Sequence, residues 1–153
     1  GVILSLIGFD ALPTTSSASV IAASGGLAIP GMTVQSIVRS PSQPTSQLMT
    51  VELDRYEVTF QRADFGTRVP PRLSEHLFSA IAPGGTFTLE NGPIMRIDQI
   101  NAQPMDDMIE LGMDSETTST VIRFTIGIQF FGRTIAGDVV QTEPGYFTLD
   151  IVP

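Results

Sequence analysis

Between Ile122 and Phe130 every second residue is apolar. Ile122, Phe124, Ile126, Ile128 and Phe130 alternate with Arg123, Thr125, Gly127 and Gln129. A helix, with a period near 3.6, scatters such a series around its axis. A strand gathers it on one face, because successive side chains point to opposite sides. The stretch therefore predicts a strand with one face on a core and one in water. Near the C-terminal end Phe147, Leu149 and Ile151 repeat the pattern against Thr148 and Asp150. Gly132, Gly137-Asp138 and Pro144-Gly145 lie between the two runs and carry turn chemistry. Thr118–Pro153 thus reads as an antiparallel pair, extended by Val139-Val140, around which the rest of the chain is organised.

The remaining segments read mostly as strands. In Leu48–Arg62, Val51 and Leu53 share one phase, and Tyr56, Val58 and Phe60 share the other. That change predicts a bulge or bend near Asp54-Arg55. Gly1–Phe9, Ser19–Ser24, Thr33–Arg39, Ser74–Ala82 and Thr86–Leu89 are further strand candidates. Leu27–Gly31 is a short apolar stretch between turns. Pro83-Gly84-Gly85 and Asn91-Gly92-Pro93 predict turns, and Ser40–Ser46 and Ala63–Arg72 predict loops. Ile94–Ile100 has no clean face in either phase. Pro104–Leu111 alone reads as a helix: Pro opens it, Asp106 and Asp107 sit at its positive end, and Gly112 can end it. Met105, Met108 and Ile109 would be its buried side. Eight or nine short strands with one helix near 104–111 predict an all-β fold, an Ig-like antiparallel β-sandwich. Residues 1–17 form an N-terminal strand and a polar linker, DALPTTSSAS from Asp10, and 18–153 form the sandwich.

Charge narrows the partners. The 153-residue chain carries a net charge of -8, and its eight basic residues are all Arg. An acidic surface argues against nucleic acid, whose phosphates need a basic footprint. It argues equally against electrostatic docking on anionic lipid. No apolar run reaches the roughly 20 residues of a spanning helix. Residues 1–9 are apolar but too short, and they look like the start of a chain from which a signal peptide has been removed. Without Cys there is no disulfide framework.

Catalytic parts are missing. His76 is the one His, no Cys is available as a nucleophile, and no G-x-S-x-G elbow occurs. Ala82–Thr86 lacks the Lys and the helix of a phosphate loop. No cofactor is expected, and the chain reads as non-enzymatic. The acidic segment Asp98–Glu116 has two readings: a solvated face, or an oxygen cluster for calcium with Asp106, Asp107, Glu110 and Asp114 as candidate ligands. Most of the nine Phe fall at core phases; Phe65 and Phe131 do not, and are candidate contact residues.

The N-terminal third stands apart. Up to Thr50 only Asp10 and Arg39 are charged, and the other 22 charged residues lie beyond it. An uncharged apolar strand at an edge invites association. Val2, Ile3, Leu4, Leu6, Ile7 and Phe9 are therefore candidate assembly residues. The strand either pairs within its own domain or is donated to the next subunit, which would build a filament. The partners expected are further copies of the chain or another surface protein.

The run FTIGIQFFGRTIAGDVVQTEPGYFTLDIV resembles the closing strand pair of bacterial Ig-like and fibronectin-like surface domains, and VELDRYEVTFQR resembles an early strand of the same domains. The Cys and Trp of antibody domains are absent, so that subgroup is excluded. The resemblance implies an exported module, extracellular or at the cell surface, used in adhesion, scaffolding or assembly. The alternative, drawn from the acidic 98–116 segment, is a calcium- or small-ligand-binding periplasmic or surface lipoprotein module.

Overall fold

The computed structural model describes residues 1–40 and 44–153. Strands β1 (Val2–Asp10) and β2 (Thr15–Ser17) lead into helix α1 (Ala18–Ser24). Next come strands β3 (Leu27–Val38), β4 (Val51–Arg62), β5 (Leu73–Ile81) and β6 (Thr86–Met95). Two short helices, α2 (Ile97–Ile100) and α3 (Met105–Leu111), precede β7 (Ile122–Thr134), β8 (Val139–Gln141) and β9 (Gly145–Val152). Strand makes up 53% of the chain and helix 14%, which is a mostly-β protein.

Two sheets share one core. The first has the order β1-β3-β6 and is antiparallel throughout. The second has the order β2-β9-β7-β4-β5, with β8 also paired to β7. One sheet curls into a half-barrel, so the two do not simply stack as flat layers. β7 sits centrally, between β4 and β9. Its alternating series from Ile122 to Phe130 is fully buried, as the period requires. Phe147, Leu149 and Ile151 of β9 join it in the core, and β8 extends the pair.

The second sheet is mixed, not purely antiparallel. β2 runs parallel to β9, Ser17 Oγ donates to the Pro153 carbonyl at 2.8 Å, and Asp150 N–H donates to the Thr14 carbonyl. The expected linker is therefore fastened to the sheet from Thr14 onward. The expected strand over 19–24 is helix α1. Ser17 caps it by accepting from Val20 N–H, and Gly25 ends it in the left-handed conformation at φ 78°. Ala18 and Ile21, three apart, are its buried side, so a local cap and stop overrode the β-branched pair Val20-Ile21. Three α-helices occur among the described residues where one was expected. The one expected, α3, spans Met105–Leu111 with Gly112 as its left-handed cap. α2 accounts for the unclear periodicity of 94–100, where strand gives way to helix.

β4 carries the expected bulge: register slips between Leu53 and Arg55 against both β5 and β7. That slip keeps Val51, Leu53, Tyr56, Val58 and Phe60 all inward. Two expected turns are strand instead. β6 runs through Asn91-Gly92-Pro93, with Asn91 at φ 52°, a conformation Asn tolerates. Gly132 lies inside β7, where a Cβ would come within 2.4 Å of the Glu52 carbonyl oxygen. Leu27 and its neighbours belong to one long strand, β3. The loop expected over 40–46 lies partly outside the described residues.

Candidate interaction surface

β1 forms an edge of the first sheet and pairs with β3 through eight register partners. Four of its six candidate assembly residues serve the chain's own core. Val2 and Leu4 are buried, and Leu6 and Phe9 pack against the core partly buried. Register slips between Leu6 and Gly8, and this bulge returns Phe9 to the inward face, where its ring lies 5.8 Å from that of Phe147. Ile3 and Ile7 point outward, 45% and 51% exposed.

Along its other edge β1 pairs with no strand among the described residues. That edge looks across a cleft of about 390 Å³ toward β8. Gly1, Val2, Ile3 and Leu4 line one wall, and Val139, Val140 and Gln141 line the other. Arg39, Asp138 and Glu143 supply its charges. Further along, Leu6 and Phe9 close over Gly145 at the start of β9. The two sheets thus approach each other at a seam that no backbone ladder closes. Edge strands are usually guarded by charge, proline or bulges. Here the bulge at Ile7 is present, and between Val2 and Phe9 there is no charge.

The acidic segment is not a uniform solvated face. Asp114 is fully buried, and its carboxylate accepts from Arg62 Nη2 at 2.8 Å and from Thr117 Oγ1 at 2.7 Å. Asp64 takes the other side of the same guanidinium, at 2.7 and 3.2 Å, and also accepts from the Gly66 and Arg123 backbone N–H groups. Glu116 holds the Thr67 and Arg68 backbone N–H groups and lies 3.7 Å from Arg62. One arginine therefore ties the end of β4 to loop 63–72 and to the segment after α3. Burial alone would raise the Asp64 and Asp114 carboxyls. Hydrogen bonds and the charge of Arg62 outweigh it and hold both below the usual carboxylate range. Burial would likewise lower the Arg62 guanidinium, and its two Asp partners raise it instead.

Of the four calcium candidates, Asp107 accepts from Ser115 N–H and Oγ, and Asp106 accepts from the Asp107 N–H. Glu110 is exposed, and Asp114 belongs to Arg62. Asp106, Asp107 and Asp114 each turn to a different neighbour, and Glu110 turns to solvent. Among the described residues no three His, Asp or Glu side chains group as a metal site. His76 stands exposed on β5. The sequence reading missed the Arg62 cluster. Its one local signal is Arg62 and Asp64 two residues apart, whereas Asp114 reaches them only through the fold.

The exposed aromatic residues differ from expectation in one place. Phe65 is fully exposed, as a loop Phe can be, and Phe131 is half-buried beneath the Arg55 guanidinium, 4.1 Å from the ring centre. Phe78, assigned to the core from its strand, is 97% exposed. Along β5 it is Leu73, Leu77 and Ile81 that turn toward the core, and Phe78 is out of phase with them.

No family model matches the chain, and no curated protein matches it significantly. Among solved structures, the chain is similar to the solution structure of a protein assigned as late embryogenesis abundant (LEA). The identity is 14% over 97% of this chain and 71% of that one, with a TM-score of 0.46. At that score the likeness carries no argument about fold or role.

Proposed function

We propose that the chain is a non-enzymatic structural module that self-associates through β1. The finer reading of its fold, an Ig-like sandwich, and its place outside the cell or at its surface belong to the same proposal. Two sheets around one core and the resemblance to bacterial surface domains support them. The observation that carries the proposal is the edge of β1, nine residues long, unpaired on one side among the described residues and without charge from Val2 to Phe9. A second strand laid along it gains backbone hydrogen bonds.

Edge addition is the form the geometry favours, because β1 stays in its own sheet and keeps Val2 and Leu4 in the core. Strand donation is the second reading. It is supported by residues 11–14, which hold no regular structure between β1 and β2. Among the described residues no helix is long and apolar enough to cross a membrane. The calcium-binding alternative has less behind it, since Asp107 and Asp114 are engaged by Ser115 and Arg62.

A disulfide separates the two forms. Ile3 and Ile37 are register partners on the outer face, and the chain has no Cys of its own. An Ile3→Cys/Ile37→Cys pair would lock β1 to β3. Light scattering and negative-stain microscopy then read assembly in oxidised and reduced protein. Assemblies in both states mean edge addition. Assemblies that vanish on oxidation and return on reduction mean donation. A monomer without the cysteines, at every concentration, overturns the proposal.

A further inference from the structure

A strand added edge to edge across a two-fold axis makes a closed dimer, because the same edge is used on both copies. A longer assembly requires a second surface. The outer face of the second sheet carries a candidate at its β4–β5–β7 corner. Phe78 stands there 97% exposed between two hollows of about 300 and 340 Å³. Ile135, 49% exposed, lines both. A ring this size held in water on a strand has no role in the core of its own chain.

The charges beside it indicate the occupant. Glu52 and Arg133 are register partners on adjacent strands, and both are exposed. Among the described residues neither makes an ion pair. Arg55, Arg62, Arg72, Arg96 and Arg123 all do, whereas among the described residues Arg39 and Arg68, like Arg133, do not. An unpaired cation next to an unpaired anion is self-complementary. A two-fold axis running between them sets Arg133 of each copy against Glu52 of the other, with each Phe78, one strand beyond Glu52, at the flank of the contact. Arg55 on Phe131 already shows this chain's use of a guanidinium over a Phe ring.

We infer that Phe78, Ile135, Glu52 and Arg133 form a two-fold docking surface for a second copy of the chain. The surface is separate from β1. Only its role in lengthening an assembly rests on the β1 proposal; the pairing itself does not. Like charges facing each other across such a contact oppose it, and opposite charges restore it.

The test is sedimentation velocity over a concentration series, with circular dichroism to confirm folding. The protein used is the Ile3→Lys variant, whose charge guards the β1 edge, so that failure of the β1 proposal leaves this result readable. The expected result is a reversible dimer. Phe78→Ser, Glu52→Arg and Arg133→Glu should each weaken it by about tenfold or more. An equimolar mixture of the Glu52→Arg and Arg133→Glu proteins should recover it, as should the two changes in one chain. A monomer throughout overturns the inference, and so does a dimer indifferent to all three single changes or a mixture that does not recover.

Discussion

Arg62 Nη2 lies 2.8 Å from Asp114 Oδ2, and the two side chains are 2% and 0% exposed. They are 52 residues apart in sequence. Their meeting closes the end of the core where β4 leaves the sheet and the chain returns from α3 toward β7. Asp64, Glu116 and the Arg68 carbonyl complete the shell around the guanidinium. The contacts offset a large desolvation cost only while every partner stays in place, so a buried charge of this kind is costly to disturb.

Removing one partner exposes that asymmetry. Asp114→Ala leaves the Arg62 guanidinium buried with Asp64, and Glu116 at 3.7 Å, as its remaining anions. Breaking a buried pair typically costs about 3–5 kcal/mol, and the retained Asp64 places this variant near about 3 kcal/mol. The midpoint of urea unfolding should fall, with the slope unchanged. A midpoint equal to that of the parent would mean that water reaches the guanidinium freely.

The same cluster sets the acid limit of the fold. Asp64 and Asp114 are held below the ordinary carboxylate range, and Glu116 is lowered by its hydrogen bonds from Thr67 and Arg68. Carboxyls depressed in the folded state add stability above their unfolded pKa, about 4, and lose it as pH falls through the folded value. Stability should therefore drop steeply below about pH 4. In Asp114→Ala the drop should be shallower, because one linked proton is gone. Unfolding free energy against pH, measured for both proteins, reads the two slopes directly.

Gly132 permits the close approach of β4 and β7. A Cβ there would stand 2.4 Å from the Glu52 carbonyl oxygen and 3.0 Å from Leu53 Cα, both backbone atoms that cannot swing aside. Gly132→Ala should cost about 2 kcal/mol by forcing the strands apart at the bulge. Gly8→Ala, where nothing lies within 4 Å, should stay within about 0.5 kcal/mol of the parent. Thermal unfolding of the two variants provides the comparison.

How much of this was legible depends on the range of each signal. Alternation is local, so Ile122, Phe124, Ile126, Ile128 and Phe130 revealed β7 and its inward face. The phase change in β4 revealed its bulge for the same reason. The α1 helix was hidden because Val20-Ile21 favours strand, while Ser17 and Gly25, which define the helix, read equally well as linker and turn. Gly132 and Asn91-Gly92-Pro93 were misread as turns. A glycine at a close strand crossing and a glycine in a tight turn look alike until the neighbouring strand is known. The charge cluster was hidden most deeply, since Asp114 is one acid among several until the fold sets it against Arg62. Exposure of Phe78 depends on which phase of β5 wins the core, and Leu73, Leu77 and Ile81 outweigh one Phe.

Tyr56 gives a last test, because one bond links the two sheets. Its hydroxyl donates to the Pro93 carbonyl at 2.7 Å, from β4 in the second sheet to β6 in the first. Its ring, 2% exposed, stacks on Phe130 with centres 5.3 Å apart. Tyr56→Phe keeps the stacking and removes the donor, so it should cost about 1–2 kcal/mol and loosen amide protection in β6. Burial, with a smaller push from the nearby Glu75, holds the phenol above its ordinary pKa, against a lowering by Arg96. The neutral donor is thus favoured in the folded state. That contribution is complete below about pH 10, the unfolded value, and declines as pH rises beyond it. The gap in stability between parent and Tyr56→Phe should therefore narrow above about pH 10. A gap that stays constant through that range would mean that the phenol titrates alike in the folded and unfolded chain, and that its burial does not reach the hydroxyl.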